Sequence, residues 1–206
     1  DRIVPGLCIG SDGPVASVAL FTRTPIRDIR RIALDTSSRT SAALVRIVCR
    51  RMFDIAPEFQ SHGPEIASML DVADAAWLIG DPALFFDAPP GIEKLDLGAL
   101  WAEMTGLPFV WAFWSGRPDA ADIATVAALQ RAAAAGGEHL DEIARAYVAA
   151  TPERIPLAVR YLRENLVFSL GAREHEGLET YYREAANLGL VSASPELSFF
   201  PSPRPA

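Results

Sequence analysis

The chain has 206 residues, half of them hydrophobic and 22% charged, which is the make-up of a folded protein with ample material for a core. Its formal net charge of −7 argues against a generic nucleic-acid-binding or anionic-membrane-binding surface, although a local basic pocket remains compatible with that balance. No apolar run approaches the roughly 18 residues that a membrane span needs, and the opening DRIVPGLCIG lacks the apolar core and cleavage site of a signal peptide, so a cytoplasmic protein is expected. Cys8 and Cys49 lie in apolar surroundings away from other metal-ligand types and read as reduced core thiols, not as a disulfide or zinc site. The first residue is Asp1 rather than Met, so a processed, truncated or longer original chain is expected.

Residues 3–23 hold two short apolar runs around the turn cluster Gly10-Ser11-Asp12-Gly13-Pro14 and read as strand, turn, strand. Ile32, Ala33 and Leu34 form a buried strand. After a polar break at 35–38, Leu44, Val45, Ile47, Val48 and Met52 recur at helical spacing with arginines between them. Residues 57–64 read as a loop with room for a strand at 58–60, residues 65–72 as a short helix, and 75–79 as a buried strand ending at Gly80-Asp81-Pro82. The stretch 31–81 is therefore β-α-β-α-β, the pattern of a three-layer α/β unit with a parallel sheet. Residues 87–97 read as a connection, 97–104 as a helix, and 109–114 as an aromatic strand stopped by Gly116 and Pro118. Helices follow at 120–135, ending at Gly136-Gly137, and then at 138–149, 156–167 and 174–188. Residues 195–206 carry four prolines and read as a tail. The late helices need a flat surface to cover, and the ends of the chain supply too few strands for a second sheet, so further strands are expected ahead of Asp1.

The segment Leu34-Asp35-Thr36-Ser37-Ser38-Arg39-Thr40-Ser41 follows a buried strand and opens a helix. First-turn amides have no intrahelical partners and the helix dipole is positive there, so added hydroxyls and an arginine make a carboxylate or phosphate site. The plainer alternative is ordinary N-capping beside a surface arginine. The glycines and lysine of a Walker loop are absent. Gly80 and Asp81 end a strand of the same sheet, where a glycine lets a ligand come close; Asp81 by itself reads as a helix cap. Ser11 lies in a turn that explains itself without a ligand. His62, His139 and His175 show no ligand or nucleophile–base spacing, and His175 reads as part of a solvated helix face. Trp77, Trp101, Trp111 and Trp114 read as core.

Taken together, SDGPVASVALF, LDTSSRTSAALV, DAAWLIGDPAL, LWAEMTGLPFVWAFWSGR and YLRENLVFSLGAREHEGLETYYREAANLGL resemble the chorismate dehydratases of the futalosine route to menaquinone, in the same order from about Ile3 to Leu190. The resemblance implies an α/β fold of the type II periplasmic-binding-protein kind, with two lobes and a ligand cleft. Residues 1–23 and 106–206 would form an incomplete first lobe and residues 24–105 the second. It implies a cytoplasmic lyase without a cofactor that removes water from chorismate to give 3-[(1-carboxyvinyl)oxy]benzoate. No nucleic-acid or membrane partner is expected, and the aromatic strand edge leaves a homodimer possible.

The resemblance also implies that the family's opening β-α units, with an Asn implicated in the chemistry, precede Asp1, so no catalytic residue is assigned within this chain. Ser38, Thr40 and Ser41 with the first-turn amides would grip a substrate carboxylate. Arg39 would either pair with that carboxylate or form a salt bridge at the lobe surface. Ser11 would face the cleft, with Gly80 and Asp81 lining its second edge. A related cyclase family carries a basic His where this chain has Gly80, which disfavours the cyclase reaction. A substrate carboxylate is a candidate for the missing base. A carboxylate-binding protein of the same fold and an inactive fragment are the competing readings.

Overall fold

A computed structural model of the chain describes residues 1–35 and 39–202, with the backbone alone at Arg39. In chain order come strands β1 (Arg2–Ile3), β2 (Ile9–Ser11), β3 (Val18–Thr22) and β4 (Arg31–Asp35), helix α1 (Arg39–Arg51), β5 (Glu58–His62), α2 (Ile66–Val72) and β6 (Ala75–Ile79). They are followed by α3 (Asp81–Leu84), β7 (Glu93–Asp96), α4 (Leu97–Thr105), β8 (Phe109–Ala112) and β9 (Ser115–Gly116). Helices α5 (Ile123–Glu138), α6 (Leu140–Tyr147), α7 (Ile155–Arg160) and α8 (Ala172–Asn187) complete the order, with a π-helical turn at Tyr161–Asn165.

The central sheet has five strands in the order β5-β4-β6-β3-β7. The β-α-β-α-β stretch forms its parallel part, with β4 between β5 and β6. The sheet as a whole is mixed, because β3 enters antiparallel between β6 and β7. β3 was expected to share a lobe with the rest of residues 1–23, but its backbone groups are paired with the 24–105 segment. It also forms no hairpin with β2, which pairs with β8 instead. Between them Gly13 (φ 110°) and Ala16 (φ 63°) turn the chain away from a two-stranded path. β7 lies inside what read as a connection. Its single apolar side chain, the half-buried Leu95, and the Pro89-Pro90-Gly91 run before it give the segment little strand pattern.

Alternation along the strands puts one apolar set on each face. Leu20, Ile32, Leu34 and Trp77 pack with Leu44, Val45, Ile47 and Val48 of α1 and with Leu97 and Trp101 of α4. Ala19, Phe21, Ala33, Ala76 and Leu78 pack with Met69 and Leu70 of α2 and Ala83 of α3 on the other face. This is the three-layer arrangement. The first core continues into Phe109 and Val110 of β8 and Tyr181 of α8, so the β2–β8 pair and the sheet share apolar contacts.

Several boundaries differ from the sequence reading. α5 runs through Gly136 and Gly137 to Glu138, carried by its alanines. The third late helix divides into α7 and the π-helical turn. The aromatic strand stops at Ala112, and Trp114 is 63% exposed rather than core. The proline-bearing end is not free up to residue 200. Ile3 N donates to Ser198 O and Phe200 N to Ile3 O, at 2.8 and 2.9 Å, and Phe200 is buried against Val4 and Val126. Phe199 stacks on His175 at 4.8 Å, so that histidine covers apolar surface instead of facing solvent.

Candidate active site at the strand ends

Parallel register places the carboxyl ends of β5, β4, β6 and β7 along one edge of the sheet, where the amino end of antiparallel β3 also lies. His62, Asp35, Ile79, Val18 and Asp96 mark that edge in spatial order. Ligands of open α/β sheets bind outside such ends, because loops and helix amino termini converge there. Asp35 is buried, and α1 starts four residues beyond it.

Ser38 lies outside the described residues, as does any pairing of the Arg39 side chain. Thr40 and Ser41 stand in the first turn of α1. Thr40 is half-buried, and its carbonyl accepts a 3.1 Å hydrogen bond from the Tyr181 hydroxyl of α8; Ser41 is buried. Gly80 follows β6 with φ 66°, a conformation that favours glycine, and open space where a Cβ would be. Its N–H donates to Ser17 O at 2.7 Å. Asp81 is exposed and accepts a 2.8 Å hydrogen bond from the Tyr147 hydroxyl of α6. That hydrogen bond, then the nearby Asp81 charge, raises the Tyr147 phenol above its usual range. Ser11 is buried on β2 and its Oγ accepts from Trp111 Nε1 at 3.0 Å, so Trp111 is a half-buried polar partner and not plain core. Gly80 and Asp81 thus adjoin Ser17 at the sheet edge, and Ser11 stands at the other end of the 12–17 crossing.

The crossing is held from several sides. Asp96 caps α4 by accepting from Ala99 N at 3.0 Å, and the same carboxylate accepts from Val15 N at 3.0 Å and Ala16 N at 2.6 Å. Lys94 Nζ donates to Ala16 O and Ala83 O, both at 2.9 Å; burial pulls its pKa down, with Asp96 opposing. The first turn of α4 approaches so closely that a Cβ on Gly98 would lie 2.4 Å from Gly13 O and 2.9 Å from Ser11 Oγ. From the helical side, Tyr161 and Asn165 reach the crossing from one π-helical turn. The Tyr161 hydroxyl shares a 2.9 Å hydrogen bond with Ser17 Oγ, and Asn165 Nδ2 donates to Pro14 O at 2.9 Å.

Ser17, Asp96, Tyr147 and Tyr161 were not singled out from the sequence. Apart from Ala99, capped by Asp96, the side-chain partners described for them lie between 66 and 144 residues away in the chain, beyond any periodicity. The capping pattern of Asp96 before α4 was the one readable signal. A cavity of about 570 Å³ lies elsewhere, walled by apolar residues such as Leu7, Ile9, Phe113, Trp114, Leu129 and Ile143. Among the described residues its walls include none of Ser11, Thr40, Ser41, Gly80 and Asp81, and it offers little to orient a charged ligand.

Residues 2–187 match the model of a family described as menaquinone biosynthesis. The chain belongs to that family. Among curated relatives, the chorismate dehydratase of Thermus thermophilus is 29% identical over 208 residues, which cover 93% of this chain and 74% of that one. Among solved structures, a crystal structure of a protein from Archaeoglobus fulgidus superposes with a TM-score of 0.67 at 19% identity, covering 92% of this chain and 74% of the other. That likeness supports the mixed α/β architecture of this family member. No helix among the described residues is long and apolar enough to cross a membrane.

Proposed function

We propose that this family member dehydrates chorismate in the cytoplasm as a carbon–oxygen lyase of the menaquinone route, on a two-lobed fold of the type II periplasmic-binding kind. The observation that carries the reading is the chorismate dehydratase relative aligned over 93% of the chain, including every strand end of the edge described above. The reaction suits that edge. Chorismate is a dianion, and loss of a ring hydrogen and the neighbouring hydroxyl as water makes the ring aromatic. Much of the driving force therefore lies in the substrate, and the protein must hold two carboxylates, orient the ring and manage two proton movements.

In this reading Ser38, Thr40 and Ser41 with the first-turn amides of α1 receive one carboxylate, with Arg39 beside them. Ser11 and the Gly80–Asp81 corner border the ring, and a substrate carboxylate takes the ring proton. The test is turnover of chorismate followed by the mass of 3-[(1-carboxyvinyl)oxy]benzoate, in wild type and in Thr40→Val and Ser41→Ala. A hydrogen bond to a charged group contributes about 1.5–3 kcal/mol, so each variant should lose roughly 10- to 100-fold in kcat/KM. Unchanged kcat/KM in both variants would remove the carboxylate from this helix end.

A further inference from the structure

We propose that Tyr161, hydrogen-bonded to Ser17, is a catalytic residue that hands a proton to the hydroxyl leaving the substrate. The inference rests on the dehydratase reading and adds to it the acid that the expected residues lack.

Three observations carry it. First, the Tyr161 hydroxyl ends at the strand edge itself. It meets Ser17 Oγ at 2.9 Å, and the backbone carbonyl of the same Ser17 accepts from Gly80 N at 2.7 Å. Gly80 is exposed, and apart from its own chain neighbours no heavy atom lies within 4 Å of the place a Cβ would occupy, so there is open space at the residue whose N–H meets Ser17. Asp81 is near enough for its charge to act on the Tyr161 phenol.

Second, the local backbone is unusual on both sides of the contact. Tyr161 opens a π-helical turn, a wide and rare geometry that recurs at functional sites. The turn sends two side chains four residues apart, Tyr161 and Asn165, to one short crossing. On the crossing, Ala16 takes φ 63°, which is disfavoured for a residue with a Cβ. Asp96 on its N–H and Lys94 on its carbonyl hold it there, and Ser17 follows directly. Rigid support on both partners is what a proton donor needs in order to meet one atom of a bound molecule.

Third, Tyr161 is half-buried and Ser17 buried, while Gly80, hydrogen-bonded to Ser17, is exposed. Burial pushes the Tyr161 phenol above its usual range, and the Asp81 charge adds to this against the hydrogen bond from Ser17. The phenol therefore keeps its proton throughout the neutral range and can donate it.

The step balances as follows. The ring C–H bond breaks and its electrons become a ring π bond. The neighbouring C–O bond breaks, and its oxygen leaves as water by taking the Tyr161 hydrogen. The ring proton, released from the substrate carboxylate through solvent at the open edge, restores the phenol. Either oxygen can donate across the Ser17–Tyr161 contact; with Ser17 donating, the phenol hydrogen is left for the departing hydroxyl and Ser17 goes on donating to the phenolate formed, so it positions Tyr161 without being consumed.

The experiment compares the native protein with Tyr161→Phe, Ser17→Ala and a variant carrying 3-fluorotyrosine at 161, measuring kcat and KM for chorismate across pH 6–11. General acid catalysis contributes about 10²- to 10⁴-fold, so Tyr161→Phe should lower kcat by at least about 100-fold with KM within about 3-fold. Ser17→Ala should lower kcat less. The wild-type rate should fall as pH rises through the phenol pKa, and the fluorinated phenol, a stronger acid, should bring that fall to lower pH. A merely structural tyrosine would not move it. Wild-type-like kcat in Tyr161→Phe, or an alkaline limb that ignores fluorination, overturns the role of Tyr161 and leaves the dehydratase reading standing. Absence of turnover by the folded wild type overturns that reading, and the role of Tyr161 with it. If Tyr161→Phe does not fold, the fluorinated variant decides alone.

Discussion

Removing the Asp96 carboxylate should loosen the crossing that joins the β2–β8 pair to the central sheet. Three backbone amides converge on this side chain: Val15 N and Ala99 N at 3.0 Å and Ala16 N at 2.6 Å. The Ala99 bond is a helix cap, and its loss costs about 1 kcal/mol. Each crossing bond to a charged acceptor contributes about 1.5–3 kcal/mol at full strength. Asp96 is only half-buried and the two bonds share one side chain, so a combined loss of about 3 kcal/mol is expected for Asp96→Ala. At about 2–4 °C per kcal/mol for a chain of this size, the melting midpoint should fall by roughly 6–12 °C. Asp96→Asn keeps one oxygen for Val15 and Ala99 but turns an NH2 group toward Ala16 N–H, and should fall about half as far. The assay is thermal unfolding followed by circular dichroism, with urea unfolding to confirm an unchanged m-value. A midpoint drop under about 2 °C for Asp96→Ala would refute the clamp, because even the cap alone should exceed it.

Gly98→Ala sets two effects of opposite sign against each other. Helix propensity alone favours alanine by about 1 kcal/mol, whereas a Cβ 2.4 Å from the Gly13 carbonyl forces backbone apart and costs about 1–3 kcal/mol. Net destabilisation by urea unfolding is expected, and stabilisation would show that the crossing yields easily. Burial pushes the thiols of Cys8 and Cys49 up to about 12 from 9.0. Between pH 9 and 12 the unfolded chain therefore binds fewer protons than the folded one, so stability falls as pH rises, by up to about 1.4 kcal/mol per pH unit for each thiol. Urea unfolding of wild type and Cys49→Ala at pH 8 to 10.5 checks the sign: the variant should decline less steeply.

The parallel strands, their helices and the α1 amino terminus were legible in the sequence because each rests on neighbours within a few residues. Buried runs such as 32–34 and 75–79 and the helical spacing of Leu44, Val45, Ile47 and Val48 report local backbone geometry directly. The family resemblance lay in the order of whole segments and agreed with the match over residues 2–187. Tertiary structure alone decided what depends on long loops closing. It set β3 antiparallel between β6 and β7, because a strand's partners are chosen by shared burial and free ladder groups and not by its own residues. It turned Asp96 from a helix cap into a clamp on residues 80 positions away. It also brought the phenols of Tyr147 and Tyr161 to Asp81 and Ser17. A hydroxyl in a helix pattern carries no mark of the strand end it will meet; that meeting is fixed only when the late helices pack against the strand edge.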